Sequence, residues 1–374
     1  MHKSIEEINR KIQNGSAVVL TAGEMTSLVA EQGAKAAASQ VDVVTTGTFG
    51  PMCSSGLLIN TGHFSPRINF REATLNGVQA YCGIAAVDLF LGATAQSETP
   101  GYGGGHVIED LVSGRSICFE ATGHATDCYP KRKLSSSISL ATVSSAELTN
   151  FRNSYQNYNV AVNGSEREIR TYLGVLKPDL ANAGFSGSGE FSPLINDPHF
   201  RTIGTGTKIF LGGGTGWITG PGTQHCSNPR RSPNGVPMEG AGTISVRGDL
   251  RGMNPRYLRG IWISGYGASL SVGIGIPIPI LDEEMASFTG VPDSDILAPV
   301  VDYSSDYPEN NGKILGHVSY KELYSGEITV KGKRAKTFSI SSRRMGEEIA
   351  GELKGWIERR KFTLSTAAET LKSL

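Results

Sequence analysis

Glycine punctuates this chain. It supplies 47 of the 374 residues, nearly twice the usual share of about 7%, and many of these glycines end short apolar runs of β type. Glycine at such ends lets the backbone turn sharply or approach a neighbour closely. No Gly-x-y period is present, which excludes a collagen-like chain, and a 39% hydrophobic fraction excludes a disordered one. The pattern predicts a loop-rich α/β protein, with a mixed α+β arrangement as the alternative.

Periodicity places the elements. Residues 3–14 read as a helix, 17–20 as a strand, 26–38 as an alanine-rich helix with Thr26 as its N-cap, and 41–45 as a buried strand. Strand, helix and strand within about 30 residues is βαβ spacing. A second such unit is predicted from the strand 84–92, the helix 107–113 and the strand 116–120. Beyond about residue 140 strand candidates recur at 207–211, 242–246, 260–263 and 269–276. Residues 343–360 place Met345, Ile349, Leu353, Trp356 and Ile357 on one face of an amphipathic helix. The expectation is one domain over 1–374, divisible into a βαβ-like, cysteine-bearing half (1–140) and a β-rich half with a C-terminal helix (141–374).

Charge narrows the function. Lys+Arg and Asp+Glu number 35 each, so no net field draws in nucleic acid or an anionic membrane. No run approaches the roughly 20 apolar residues of a membrane span, and the opening MHKSIEEINRKIQNG lacks a signal-peptide core. A cytoplasmic location is expected. Five scattered cysteines without a C-x-x-C pair make neither a disulfide framework nor a zinc or iron–sulfur site. No metal or cofactor is therefore expected in this chain, and the cysteines read as free or catalytic thiols.

Two of them sit in suggestive settings. Cys53 lies in a glycine-rich turn (Gly47, Gly50, Gly56) directly after the apolar run 41–44, with Ser54 and Ser55 beside it. Cys128 precedes Lys131, Arg132 and Lys133, cations that favour the thiolate, which is the nucleophilic form. The plainer alternatives are a small buried hydrophobe in a turn and a surface thiol beside a solvated charge run. Cys82 and Cys118 lie inside apolar runs and read as packing residues. Cys226 adjoins His225, and neighbouring side chains rarely point the same way. The run 101–106 before a helix either cradles an anion on free N–H groups or is simply a tight strand-to-helix connection. His63, His106 and His124 occupy glycine-flanked loops and offer proton transfer near neutrality.

At these segments the chain resembles the homocysteine biosynthesis proteins of anaerobic archaea and bacteria, described as L-aspartate semialdehyde sulfurtransferases. The resemblance rests on Thr45-Thr46-Gly47-Thr48-Phe49-Gly50 through Cys53, on Tyr81-Cys82-Gly83, on Gly105-His106-Val107-Ile108-Glu109-Asp110, and on Thr126-Asp127-Cys128-Tyr129-Pro130. It continues through Ser186-Gly187-Ser188-Gly189, Leu194-Ile195-Asn196-Asp197-Pro198 and Ile276-Pro277-Ile278-Pro279-Ile280. These strings spread over nearly the whole chain.

The resemblance implies conversion of aspartate semialdehyde to homocysteine, a precursor of methionine, with sulfur drawn from sulfide. It also implies a central cysteine pair matching Cys53 and Cys128, and electrons from a separate small iron–sulfur, ferredoxin-like protein. Some members continue into paired nucleotide-sensing modules of the CBS type. This chain stops at Leu374, which leaves control by adenosyl ligands an open question. The expected chemistry is a disulfide–persulfide cycle in which either cysteine could hold the persulfide, the glycine-rich turn favouring Cys53 with Cys128 resolving, and His106 and His124 moving protons. Arg67, Arg71, Lys131 or Arg132 would bind the substrate carboxylate, with Ser54 and Ser55 donating beside the thiol. The alternative is a sulfur carrier or scaffold that hands persulfide to a partner and binds no aldehyde. Oligomeric state stays open, a homo-oligomer included.

Overall fold

The first βαβ unit forms as its spacing predicts. In the computed structural model, which describes residues 2–84, 88–153, 155–305 and 312–371, strand Val19–Thr21 pairs in parallel with Val43–Thr45. Pro277–Pro279 completes this small sheet from the other side. Helix Ile5–Asn14 starts from a capping box of Ser4 and Glu7. The connecting helix starts earlier than the reading placed it. Thr21 is the N-cap and Glu24 completes the box, while the Thr26 hydroxyl bonds back to the Ala22 carbonyl at 2.8 Å inside the helix. Gly33, at φ 79°, divides it into Ala22–Gln32 and Ala34–Gln40.

The second predicted βαβ unit does not form. Strand Asp88–Gly92 pairs antiparallel with Ser55–Asn60, and residues 85–87 of the expected strand lie outside the described residues. Strand Ile117–Gly123 belongs to a different sheet, of four antiparallel strands, between Phe70–Leu75 and Lys133–Ile138. The helix between them, Gly104–Val112, packs against strands Leu258–Ile263 and Gly267–Gly275. Its buried face of Val107, Ile108 and Leu111 is satisfied by strands far away in sequence, so nothing draws its two flanking strands together.

The largest sheet has nine strands. Its order runs Leu258–Ile263, Gly267–Gly275, Lys208–Leu211, Gly214–Pro221, Ile244–Asp249, Ser145–Asn153, Ser55–Asn60, Asp88–Gly92, with Thr48–Pro51 also pairing on Gly267–Gly275. Strands from both sides of residue 140 interleave in it. A six-stranded mixed sheet stands beside it, in the order Lys313–Ser319, Leu297–Asp302, Val160–Val162, Asn182–Phe185, Lys333–Ser339, Glu327–Val330. The C-terminal helix Arg343–Glu358 buries Ile349, Leu353 and Ile357, and Trp356 packs on Phe210 at 5.0 Å between ring centres. This helix crosses directly over Gly47, where a Cβ would overlap the Gly346 carbonyl. The fold is mixed α/β, and none of the described helices is long and apolar enough to cross a membrane.

A candidate active site around Cys53

A tight turn presents Cys53. The Ser55 N–H donates to the Met52 carbonyl at 3.0 Å, so Cys53 and Ser54 are the two central residues of a β-turn, whose own N–H groups such a turn leaves unused. Among the described residues neither of these two N–H groups has an acceptor. The strand before the turn is pinned by its ladder to Gly267–Gly275, and that partner strand supplies Ser269. The Ser269 hydroxyl, fully buried, donates to Cys53 Sγ at 3.1 Å. A hydroxyl aimed at sulfur supports negative charge there. The glycines around the turn serve close approach rather than unusual dihedrals: a Cβ on Gly50 would overlap the Ser341 hydroxyl, and one on Gly56 the Phe90 ring.

Cys53 forms part of the wall of a cavity of about 850 Å3, which lies between the nine-stranded and six-stranded sheets. One wall is the turn itself, residues 50–54. A second is the end of strand Ser145–Asn153 and the segment after it, contributing Arg152, Asn153, Tyr155, Tyr158 and Asn159, joined by Gln224. Ser186, Gly187 and Ser341 come from the six-stranded side, and Glu239 and Gly240 from a loop at the rim. Arg152 donates to Gln224 Oε1 at 2.6 Å, and the Tyr155 hydroxyl to the same oxygen at 3.1 Å. The Tyr158 and Tyr172 hydroxyls are bonded to each other, Tyr172 meets Tyr303 at 3.0 Å, and Asn159 donates to Tyr303 at 2.7 Å. Burial, reinforced by the neighbouring phenols of Tyr303 and Tyr158, pushes Tyr172 far above the ordinary tyrosine range, so it stays a neutral donor.

Cys128 is not in this cavity wall. It sits, exposed, at the tip of the hairpin between Ile117–Gly123 and Lys133–Ile138, where Thr126 and Tyr129 exchange backbone hydrogen bonds at 3.1 Å. Cys53 and Cys128 are both free thiols. The cations proposed for the carboxylate lie with the four-stranded sheet. Arg71 borders a separate depression together with Cys82 and His124, and Lys131 lies over Phe64. Arg67 accepts the Lys131 N–H at its carbonyl, and Arg132 is exposed beside it. None of the four lines the Cys53 cavity.

His106 is occupied elsewhere. Its Nδ1 accepts the Gly103 N–H at 3.2 Å, its ring stacks on Tyr102, and burial holds its pKa below the ordinary imidazole value. It caps its own helix. The glycine run before it is the tight connection rather than the anion cradle. The Gly104 and Gly105 N–H groups are spent on the Ala95 and Ala93 carbonyls, at 2.7 and 2.9 Å. His124 is exposed at the separate depression. His225 is tied through Nδ1 to the Thr243 carbonyl at 2.7 Å and packs on Phe200. Of the serines beside the thiol, Ser54 lines the cavity, whereas Ser55 is buried and receives Asn150 Nδ2 at 2.8 Å. Among the described residues no three His, Cys, Asp or Glu side chains group as metal ligands do.

The residues that the sequence reading missed are Ser269, Arg152 and Gln224. The first stands 216 positions from Cys53 in a strand that reads as plain core. Arg152 sits in an Asn-, Ser- and Tyr-rich stretch with no motif to announce it.

A half-buried thiol facing a cavity of this size, lined by polar and apolar side chains alike, is the arrangement of a small-molecule enzyme. Residues 17–364 match the family model described as homocysteine biosynthesis enzyme, sulfur-incorporation, and the chain belongs to that family. It is 46% identical to the L-aspartate semialdehyde sulfurtransferase of Methanosarcina acetivorans, over 99% of this chain and 72% of that protein. Identity is again 46% with the L-aspartate semialdehyde sulfurtransferase of Methanocaldococcus jannaschii, over 99% of this chain and 73% of that one. An uncharacterized protein of Methanothermobacter thermautotrophicus is 29% identical over 88% of this chain. No solved structure matches the chain.

Proposed function

We propose that this sulfurtransferase converts L-aspartate semialdehyde to L-homocysteine by way of a persulfide on Cys53. The observation that carries the reading is Cys53 Sγ in the wall of a cavity of about 850 Å3 with the Ser269 hydroxyl at 3.1 Å. The chain around it shares 46% identity with two proteins named for that activity. The two unpaired N–H groups of the turn add donors for a sulfur anion.

The chemistry balances as follows. Hydrosulfide attacks a Cys53–Cys128 disulfide, leaving a persulfide on Cys53 and a thiolate on Cys128. The terminal sulfur adds to the aldehyde carbon, whose oxygen takes a proton. Cys128 then attacks Cys53 Sγ, which restores the disulfide and releases the substrate as a thiohemiacetal. Loss of water gives a thioaldehyde, and two electrons with two protons complete the thiol. Those electrons come from outside the chain, and a small iron–sulfur protein is the donor we propose. This cycle requires the hairpin tip bearing Cys128 to reach the cavity. Its exposed position favours the second reading to the same degree, in which Cys128 passes sulfur to a partner protein.

The test replaces each cysteine singly by serine and measures homocysteine formed from aspartate semialdehyde, sulfide and a reductant. Loss of turnover in Cys53→Ser is the expected result, and full turnover there refutes the persulfide site. If Cys128→Ser stays active on sulfide and a reductant, no disulfide remains to oxidise the incoming sulfur, and the persulfide route falls together with the disulfide cycle. Failure of the wild-type chain to bind aspartate semialdehyde at saturation favours the carrier reading.

A further inference from the structure

We propose that Arg152 anchors the α-carboxylate of the substrate, so that the cavity selects an amino-acid aldehyde over a simple one. This rests on the sulfur-transfer reading above. Among the described side chains that line the Cys53 cavity, two carry formal charge, Arg152 and Glu239. They are opposite in sign, as the carboxylate and ammonium of an amino-acid head group require.

Arg152 is held without being neutralised. Its side chain donates to a neutral amide oxygen, Gln224 Oε1, and among the described residues no carboxylate lies within ion-pair distance of it. A guanidinium has five N–H donors in a fork that matches a carboxylate, and one bond to an amide leaves most of them for a ligand. Arg343 behaves differently: it is surrounded by Glu190, Asp293 and Glu347 and has nothing to offer a substrate.

The local backbone is shaped for this position. Gln224 takes φ 62°, the left-handed region that a non-glycine residue keeps only where its surroundings hold it, and where functional residues concentrate. Its oxygen is fixed a second time by Tyr155. The pairing of Ser145–Asn153 with Ile244–Asp249 shifts register between Asn150 and Asn153, and Arg152 lies inside that bulge. Bulges of this kind re-aim a side chain next to a site.

Anchor and thiol share one support. Buried Asn150 accepts the Arg152 N–H at 2.9 Å and donates to Ser55 Oγ at 2.8 Å. The Phe151 N–H donates to the Ser54 carbonyl at 3.3 Å. The guanidinium and the sulfur therefore rest on the same short stretch of backbone.

The experiment compares three aldehydes with the full-length enzyme, sulfide and a reductant, reading thiol formation. L-Aspartate semialdehyde carries both charges, 4-oxobutanoate only the carboxylate and 3-aminopropanal only the ammonium. For Arg152→Met, kcat/KM is expected to fall about a hundredfold for the two carboxylate-bearing aldehydes and to change less than about threefold for 3-aminopropanal. Arg152→Lys, which keeps the charge but not the fork, is expected to fall between, and it replaces the Met variant if the latter fails to fold. A loss shared equally by all three aldehydes, or no loss, overturns the anchor while leaving the activity standing. A wild-type enzyme that forms no thiol from any of them overturns the sulfur-transfer reading and the anchor with it.

Discussion

Ser269→Ala isolates the hydrogen bond at the nucleophile. The hydroxyl makes one side-chain bond, to Cys53 Sγ, and alanine fits the same strand position, so the sheet around it stays intact. A hydrogen bond to a charged partner contributes about 1.5–3 kcal/mol. Cys53 is half-buried, which puts the effect at the low end, and about 1.5 kcal/mol is roughly tenfold in the stabilisation of charge developing on the sulfur. A less stabilised thiolate is also a stronger nucleophile, with a Brønsted slope of about 0.4–0.5, so about threefold is recovered. The net expectation is alkylation of Cys53 about threefold slower than in the wild type. The assay is timed labelling with iodoacetamide at fixed pH, read peptide by peptide by mass spectrometry. Cys128 and Cys226, both exposed, supply internal references that the substitution leaves unchanged. A Cys53 labelling rate equal to wild type, relative to those references, refutes a stabilising role for Ser269.

Two further outcomes follow from buried polar groups. Asn150→Ala strips the partners from Ser55 Oγ and the Arg152 N–H at a fully buried position, and stability should fall by about 2–4 kcal/mol; an unchanged urea midpoint contradicts this. Burial would raise the Asp42 carboxyl, but Lys11, the Val18 N–H and Lys3 together hold it below the ordinary range. Its native value lies below that of the unfolded chain, about 3.9, so its contribution is complete above that pH and is lost as pH falls through the native value. Acid unfolding followed by circular dichroism should therefore lose part of its pH dependence below about pH 4 in Asp42→Asn, and identical acid limbs for the two proteins argue against it.

Local signals in the chain were read well where neighbours in sequence are neighbours in space. The parallel pair flanking Ala22–Gln32, the glycine-bounded strands after residue 200 and the amphipathic helix Arg343–Glu358 all rest on periodicity and short connections. The second βαβ unit failed because apolar runs do not state their partners, and Gly104–Val112 found its sheet some 150 residues away. Thr21 with Glu24 spells the capping box in the sequence itself, a stronger N-cap signal than Thr26 alone. His106 stands in a glycine loop, a setting that suggests proton transfer, yet the third position of a helix is where a side chain turns back to cap it. The cations near Cys128 drew attention by clustering. Arg152, alone among polar neighbours, is marked out only by a bulge and by a glutamine from a turn distant in sequence.

Gly105 has no chemistry, yet it touches the reaction at one remove. A Cβ there would overlap the carbonyl of Ser269, the residue whose hydroxyl meets the sulfur. How firmly the helix Gly104–Val112 seats on its sheet therefore sets the electrostatic surroundings of the nucleophile from outside the cavity. Reactivity in such an enzyme is tunable through scaffold contacts, by changes that never meet the substrate.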